Sequence, residues 1–356
     1  MKYHSCISVE QFYLFFRGRI DMGGKFIRPC CEPIADFPGV ALQETAEESL
    51  KSITSLRAGI ISESIEFGPS GRQESDKGRS FTSTCAKCVK YKLDDWNGGD
   101  GLIHHVNLAM DPSPCQCKCV YCSSLKSDDR KIHDKQRCDE CYEKVFGIIE
   151  LARNNGMIAA DAMWHVASNE ITIHPFKDRI YELVKGQSVS FFTNCFIYDE
   201  SIAANLAANT LSSICLSIDS GTPETWLKVK GVDNFASVTA NLAKYSASIM
   251  RPGQIQLKYI ILPGINDDLE DFRALVDIMK SLKVRRMTIA CDCFADDNKY
   301  SCCNGQRDAF VRAAAYLTAV LQKNEMIVYI SQSAFLPGEC EKVFQLAGEI
   351  LKSGEV

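Results

Sequence analysis

Residues 213–245 read SICLSIDSGTPETWLKVKGVDNFASVTANLAKY, and the fold can be read outward from this stretch. Ser213–Ile218 is an apolar run of strand length. Pro223–Tyr245 is amphipathic, with apolar residues returning every three or four positions, the period of a helix with one buried face. The pairing recurs on both sides. Upstream lie His105–Met110 with Cys138–Asn155, Ala159–Ala167 with Phe176–Lys185, and Val189–Thr193 with Asp199–Ala208. Downstream lie Ile255–Leu262 with Asp267–Leu282, and Arg286–Ala290 with Arg307–Lys323. Met326–Ile330 with Glu339–Leu351 makes a seventh unit. The helical period is clearest in Val145, Phe146, Ile149 and Ala152, and Asn155-Gly156 reads as a helix stop. Alternating strands and helices imply parallel strands joined by right-handed crossovers. Six or seven such units predict an α/β fold, a partial TIM-like (β/α) barrel with its site at the C-terminal strand ends. A doubly wound sheet is the competing architecture.

Composition narrows the function classes. The chain has 356 residues, 46% hydrophobic and 24% charged, with a net charge of −5. That balance gives no reason to expect nucleic acid as partner. No apolar run approaches the ~18 residues of a membrane span, and the opening MKYHSCISVEQ lacks the layout of a secretory signal. A cytoplasmic location is therefore expected. Eighteen cysteines in a signal-less chain point to metal or catalytic use rather than disulfides. Two breaks organise the chain: the linker-like GPSGRQESDKGRSFTST at Gly68–Thr84, and NGGDG at Asn97–Gly101. They predict a small cysteine-rich domain over 1–98, a (β/α) core over 99–291 and a C-terminal extension over 292–356.

The segment MDPSPCQCKCVYCSS follows the first core strand. Read as C-x3-C-x2-C it offers Cys115, Cys119 and Cys122, three thiolates for three irons of a [4Fe–4S] cluster whose fourth iron stays open to a non-protein ligand. A second reading stays open. Cys119-x2-Cys122, fifteen residues, then Cys138-x2-Cys141 matches a zinc spacing, though it leaves Cys115 and Cys117 idle. Later strand ends carry further signals: VASNEITIHP after the second, FFTNC at the third, CLSIDSGTPETWLKVKGVDNF at the fourth and QLKYIILPGINDD at the fifth.

With these motifs in order, the stretch from Ile103 to Ala290 resembles the radical S-adenosylmethionine superfamily. The resemblance implies that S-adenosylmethionine chelates the open iron, with Tyr121 near its adenine. Ser168-Asn169-Glu170 stands where relatives have a Gly-Gly-Glu turn that binds the methionine amine; the glutamate is kept and the glycines are not. Thr193 and Asn194 match a Thr-Asn-Gly strand end in which Cys195 replaces the glycine. Ser217 and Asp219 fall at a Ser-x-Asp segment that contacts ribose or substrate, ahead of a "Lys-Gly-x-x-x-Phe" helix. Lys258 takes the place of the basic residue that pairs with the methionine carboxylate.

The opening CISVEQFYLFFRGRIDMGGKFIRPCCEP, the following SLKSITSLRAGIISESIEF and then CAKC resemble the SPASM auxiliary-cluster domain, although in most relatives that module follows the barrel. The resemblance implies a second [4Fe–4S] cluster on Cys6, Cys30, Cys85 and Cys88, with Cys31 the alternate to Cys30; a zinc knuckle on the same thiolates is the other reading. The function implied is reductive cleavage of S-adenosylmethionine and hydrogen-atom abstraction. Its purpose would be oxidative modification of a carbohydrate-like metabolite or a peptide, with an electron donor such as flavodoxin or ferredoxin. The alternative is a zinc-stabilised, non-redox (β/α) binding or scaffold protein. Among the other cysteines, Cys195 and Cys215 read as small buried hydrophobes, and Cys138 and Cys141 as exposed or weakly buried thiols. Cys291, Cys293, Cys302 and Cys303 surround an acidic loop at the sixth strand end. His104, His105, His165 and His174 read as structural.

Overall fold

Gly231 divides the deciding stretch in two. In the computed structural model, strand β8 (Ser213–Ser217) leads into helix α6 (Pro223–Lys230), and a second helix, α7 (Phe235–Ser248), follows. The Thr222 hydroxyl caps α6 by accepting from the Thr225 N–H, and Pro223 stands at the first turn, where its missing N–H costs nothing. Gly231 ends α6 in the left-handed conformation, at φ 67°. The single amphipathic stretch expected over Pro223–Tyr245 is therefore two helices, broken at a residue without a Cβ.

The structure describes residues 3–19, 26–29, 39–67, 91–94, 99–111, 113–122, 134–167, 169–291, 305–331, 335–336 and 338–356. The remaining elements, in chain order, are β1 (Tyr3–Cys6), α1 (Ile7–Glu10), β2 (Tyr13–Arg19), β3 (Ile27–Arg28), α2 (Ala46–Phe67) and β4 (Tyr91–Asp94). Then come β5 (Ile103–Asp111), α3 (Lys135–Asn154), β6 (Ile158–Val166), α4 (Lys177–Val184), β7 (Ser188–Phe192) and α5 (Glu200–Ala208). After α7 follow β9 (Ile255–Ile261), α8 (Leu269–Ser281), β10 (Arg286–Cys291), α9 (Arg307–Lys323), β11 (Ile327–Ile330) and α10 (Glu339–Ser353).

Among the described residues nine strands form one open, mostly parallel sheet in the order β11-β10-β9-β8-β7-β6-β5-β2-β3. From β5 to β11 the sheet order follows the chain without the reversal that defines a doubly wound sheet. The α/β fold is thus of the partial-barrel kind expected.

The chain divides into two compact units: Met1–Ser113 with Lys131–Asn169 and Asp178–Val189, and Pro114–Arg130 with Glu170–Lys177 and Ser190–Val356. In the first unit, β2 pairs in parallel with β5, from Tyr13 opposite His105 to Arg19 opposite Asp111. The boundary expected at 98/99 therefore runs between neighbouring strands of one sheet. The reason is apolar area: Leu14 and Phe16 are wholly buried, which a free hairpin could not achieve. Separately, β1 and β4 form an antiparallel ladder that sets Cys6 opposite Tyr91. Arg57 on α2 is buried; its Nε donates to the Val9 carbonyl at 2.8 Å and its guanidinium lies 4.9 Å from the Phe12 ring. Helix α3 starts at Asp134, whose carboxylate accepts from the Arg137 N–H, and buries Tyr142, Val145, Phe146, Ile149 and Ala152 along one side.

Within the second unit β8, β9 and β10 are parallel neighbours, with Ser217 opposite Lys258 and Lys258 opposite Thr288. Strand alternation puts Cys215 and Ser217 on one face of β8 and the buried Ile214 and Leu216 on the other. No helix among the described residues is long and apolar enough to cross a membrane.

Candidate functional site

The cysteine loop lies in the second unit, and main-chain bonds dock it on the end of α6. The Lys118 N–H donates to the Lys230 carbonyl at 2.8 Å and the Val120 N–H to the Val229 carbonyl at 3.0 Å. The unsatisfied carbonyls of a helix terminus are thereby used to hold the loop. Gly231 allows this approach, because a Cβ there would lie 2.9 Å from the Lys118 carbonyl oxygen. Trp226 and Phe235 pack at 5.6 Å between ring centres, so the Lys-Gly-x-x-x-Phe signature is a docking device: glycine for the close approach, phenylalanine to seat α7 against α6.

Beneath the loop lies a buried charge pair. Lys230 and Asp219 have side chains only 4% and 0% exposed, with Nζ 2.5 Å from Oδ2. The lysine also donates to the Ser217 carbonyl at 2.6 Å and to the Tyr121 hydroxyl at 2.9 Å, so its three donors are all used. Tyr121 in turn donates to Asp219 Oδ2 at 2.6 Å, while Asp219 Oδ1 accepts from the Ile260 N–H at 2.6 Å. Asp219 holds a left-handed backbone, φ 54°, a conformation that aspartate tolerates better than most residues. Burial by itself disfavours the lysine's charge, but Asp219 and the Cys119 thiol more than offset it and leave Lys230 above its ordinary value. Sequence reasoning missed Lys230 as a site residue. Its signal was the lysine of Lys-Gly, which packs inward where an exposed helix-end cation would be the ordinary expectation.

A second buried carboxylate organises the opposite side of the loop. Glu170 is fully buried. Its Oε1 accepts from the Thr172 N–H and hydroxyl at 3.1 and 2.7 Å and from the Thr193 hydroxyl at 2.9 Å; its Oε2 accepts from the Asn194 N–H at 2.5 Å. Burial raises its carboxyl above the usual range against these four bonds. Asn194 then reaches the cysteines, with Nδ2 2.9 Å from Gln116 Oε1 and 3.6 Å from Cys115 Sγ. Cys195 is buried at φ 57°, the left-handed conformation that a glycine would hold without strain. Asn241 fixes it there by donating to its carbonyl at 2.9 Å.

Cys115, Cys119 and Cys122 are half-buried, whereas Cys117 is 2% exposed. A hydrogen bond from the Cys117 thiol and the Lys230 charge pull Cys119 down to about 7 despite its burial. Its hydrogen bonds to Cys115 and Cys119, the Cys115 one the larger, and its burial push Cys117 well up, so it stays a neutral thiol. The loop thus pairs Cys119, a thiol that ionises readily, with a buried thiol that donates to it, a donor set that suits iron–sulfur ligation. Among the described residues no three Cys, His, Asp or Glu side chains gather closely enough to hold one metal ion. A cluster would differ from an ion here, since each thiolate would bind its own iron. Cys138 is 1% exposed among the core residues of α3; burial corrects the expectation of an exposed thiol, because the α3 stripe that starts there faces inward.

The other expected residues are placed as follows. Ser217 and Lys258 are half-buried neighbours across the β8–β9 ladder. Cys215 shares the face of Ser217 and is half-buried rather than fully so; burial lifts its thiol to about 11 against the pull of Lys258. Asn169 donates to the Ser113 carbonyl at 2.9 Å. Cys291 is buried within β10. Ser168, Cys30, Cys31, Cys85, Cys88, Cys293, Cys302 and Cys303 lie outside the described residues, and of Cys6 only the backbone is described.

His174, 2% exposed, follows the turn that Glu170 starts, and its Nδ1 accepts from the Phe176 N–H at 3.2 Å. Burial lowers it to about 4. Its unfolded value is about 6.5, so the unfolded chain takes the proton first. The stability this residue confers is complete above about pH 6.5, is lost as pH falls toward about 4, and does not change below that. Between pH 7 and pH 5 urea unfolding should show a loss of about 2 kcal/mol that the His174→Gln variant lacks; an identical pH dependence in both proteins refutes the assignment.

No family model matches the sequence, and no curated protein matches it. Solved structures do resemble it, among them a radical SAM methyltransferase from Sphaerobacter thermophilus, 12% identical over 54% of this chain and 56% of its own, with a TM-score of 0.36. Streptococcus suis SuiB bound to S-adenosylmethionine is 14% identical over 93% of this chain and 71% of its own, with a TM-score of 0.44. SuiB bound to the precursor peptide SuiA is 15% identical over 93% and 72%, at 0.45. Hexahistidine-tagged anSMEcpe with bound AdoMet is 18% identical over 64% of each chain, at 0.43.

Proposed function

We propose that the chain is a radical S-adenosylmethionine enzyme whose [4Fe–4S] cluster is held by Cys115, Cys119 and Cys122. One observation carries the reading: the loop bearing these cysteines is gripped from separate strand ends, by Asn194 after β7 and by Asp219 after β8, and from beneath by the end of α6. Held there, the cluster would supply the electron for reductive cleavage of the sulfonium C–S bond of S-adenosylmethionine and, through it, for removal of a hydrogen atom from substrate.

The chain's own residues divide that work. Glu170 and Asp219, both fully buried, act as struts that fix Asn194 and Tyr121. Half-buried Ser217 and Lys258 face the ligand, the lysine as partner for a carboxylate. Thr193 orients Glu170 and Cys195 together. Asn169 holds the chain entering the loop through Ser113, and Ser168 supplies the turn ahead of Glu170. Residues 1–98 add an auxiliary cluster on Cys6, Cys30, Cys85 and Cys88, residues 99–291 form the core and 292–356 extend it. The auxiliary cluster suits a two-electron oxidation of a carbohydrate-like metabolite or a peptide. A cytoplasmic flavodoxin or ferredoxin serves as donor.

Anaerobically reconstituted protein should absorb broadly near ~400 nm and release 5′-deoxyadenosine from S-adenosylmethionine with dithionite. Replacing Cys115, Cys119 and Cys122 by Ala together should abolish that release. Colourless protein holding stoichiometric zinc, or wild type that releases no 5′-deoxyadenosine, refutes the proposal.

A further inference from the structure

The main-chain N–H and the side-chain amide of Asn194 are fully engaged. Its main-chain N–H is held by Glu170 Oε2, its Oδ1 accepts from the Phe196 N–H at 2.9 Å, and Nδ2 divides its two hydrogens between Gln116 Oε1 and Cys115 Sγ. The amide cannot be turned over. Phe196 offers only a donor to Oδ1, so the NH2 must face the cysteine loop. The 3.6 Å separation from sulfur is longer than a bond to oxygen, as the larger acceptor requires. Gln116 completes the arrangement. Its Oε1 holds Asn194 in place, and its own Nε2 is buried without an acceptor among the described residues, a donor that a sulfur of the cluster would satisfy.

We infer that Asn194 is a positioning residue that raises the reduction potential of the cluster by donating a hydrogen bond to the Cys115 sulfur, with Gln116 fixing the donor. This deepens the function proposed above and rests on it. The physical reason is charge. When the cluster takes one electron from the reductant, no proton accompanies it and the added negative charge spreads onto the ligand sulfurs, where an N–H dipole already aimed at one of them stabilises it. Because Asn194 is held at four points, the dipole need not reorganise as the electron arrives.

The test is potentiometric EPR on reconstituted full-length protein, with iron counted for each sample. Asn194→Leu keeps the shape and removes the donor. Asn194→Asp keeps the acceptor for Phe196, lets Gln116 turn its amide to face the carboxylate, and so remains measurable if the leucine variant does not fold. Each should retain the wild type's iron and lower the midpoint, shifting the reduced-to-oxidised ratio at fixed potential by about tenfold, about 59 mV for one electron. Gln116→Leu should shift it in the same direction by less. An unchanged midpoint at full iron content in both Asn194 variants overturns the inference and leaves the proposed function standing. A wild-type protein that assembles no iron–sulfur cluster overturns the function itself.

Discussion

The Lys230→Met variant should be less stable than wild type by about 3–5 kcal/mol, the cost of leaving a buried charge without its partner. Asp219 is fully buried, and with the ammonium gone its Oδ2 keeps only the Tyr121 hydroxyl. Three acceptors lose their donor at once: the carboxylate, the Ser217 carbonyl and the Tyr121 oxygen. Met is close to Lys in length and fills the space beside Trp226, so the loss is electrostatic and not a cavity. Adding Asp219→Asn should recover part of it. Asparagine also tolerates the left-handed backbone and still accepts from the Ile260 N–H, while removing the stranded charge. Urea unfolding of the two single variants and the double variant measures the coupling. Losses that merely add, or a Lys230→Met variant within ~1 kcal/mol of wild type, would show that the pair does not act as described.

Gly221→Ala should be as damaging for a different reason. The residue follows Asp219 and Ser220, and an ideal Cβ there would stand 2.0 Å from the Asp271 carbonyl oxygen and 2.4 Å from the Leu275 nitrogen. Both are main-chain atoms of α8 and cannot rotate away. The approach is held by Asp271, whose carboxylate accepts from the Gly221 and Thr222 N–H groups at 2.9 Å and from the Thr222 and Tyr259 hydroxyls at 2.8 and 2.9 Å. Moving α8 back by enough for a methyl group breaks these bonds around a buried carboxylate, and a loss above ~4 kcal/mol is expected. Gly59→Ala is the control. That glycine lies on α2 with nothing within 4 Å of its Cβ position, so alanine should stabilise the helix by about 0.5–1 kcal/mol. Thermal melts of the two variants read the contrast, and a Gly221→Ala protein that melts with wild type refutes the close approach.

The units from β5 to β11 were legible because each strand and helix carries its own period and its own stop, as at Asn155-Gly156. The break at Gly231 was not, since Trp226, Val229, Phe235 and Val238 keep an apolar rhythm across it and a lone glycine inside such a pattern is usually tolerated. The placement of β2 was hidden because its partner is remote in sequence, and local signals say nothing about which edge a strand joins. At the site, the cysteine spacing and the order of strand-end motifs marked the residues but not their division of labour. The family resemblance implied ligand contacts for Glu170 and Asp219; in the structure both side chains are buried and bonded within the protein. Burial of a charged side chain depends on partners such as Lys230 and Asn194 that only the tertiary structure supplies.

The pairing of β2 with β5 has a consequence for how the cysteines ahead of the core are assembled. Tyr13 lies opposite His105, so the stretch of chain between these strands has both ends tied to one sheet. Tying the ends removes part of the closure entropy that a metal site must otherwise overcome, and raises the local concentration of one half of the loop near the other. The relation runs both ways: whatever cross-links that loop also shortens the path by which β2 finds β5. If the proposed auxiliary cluster forms in that stretch, its occupancy and closure of the sheet edge would be two measures of one equilibrium.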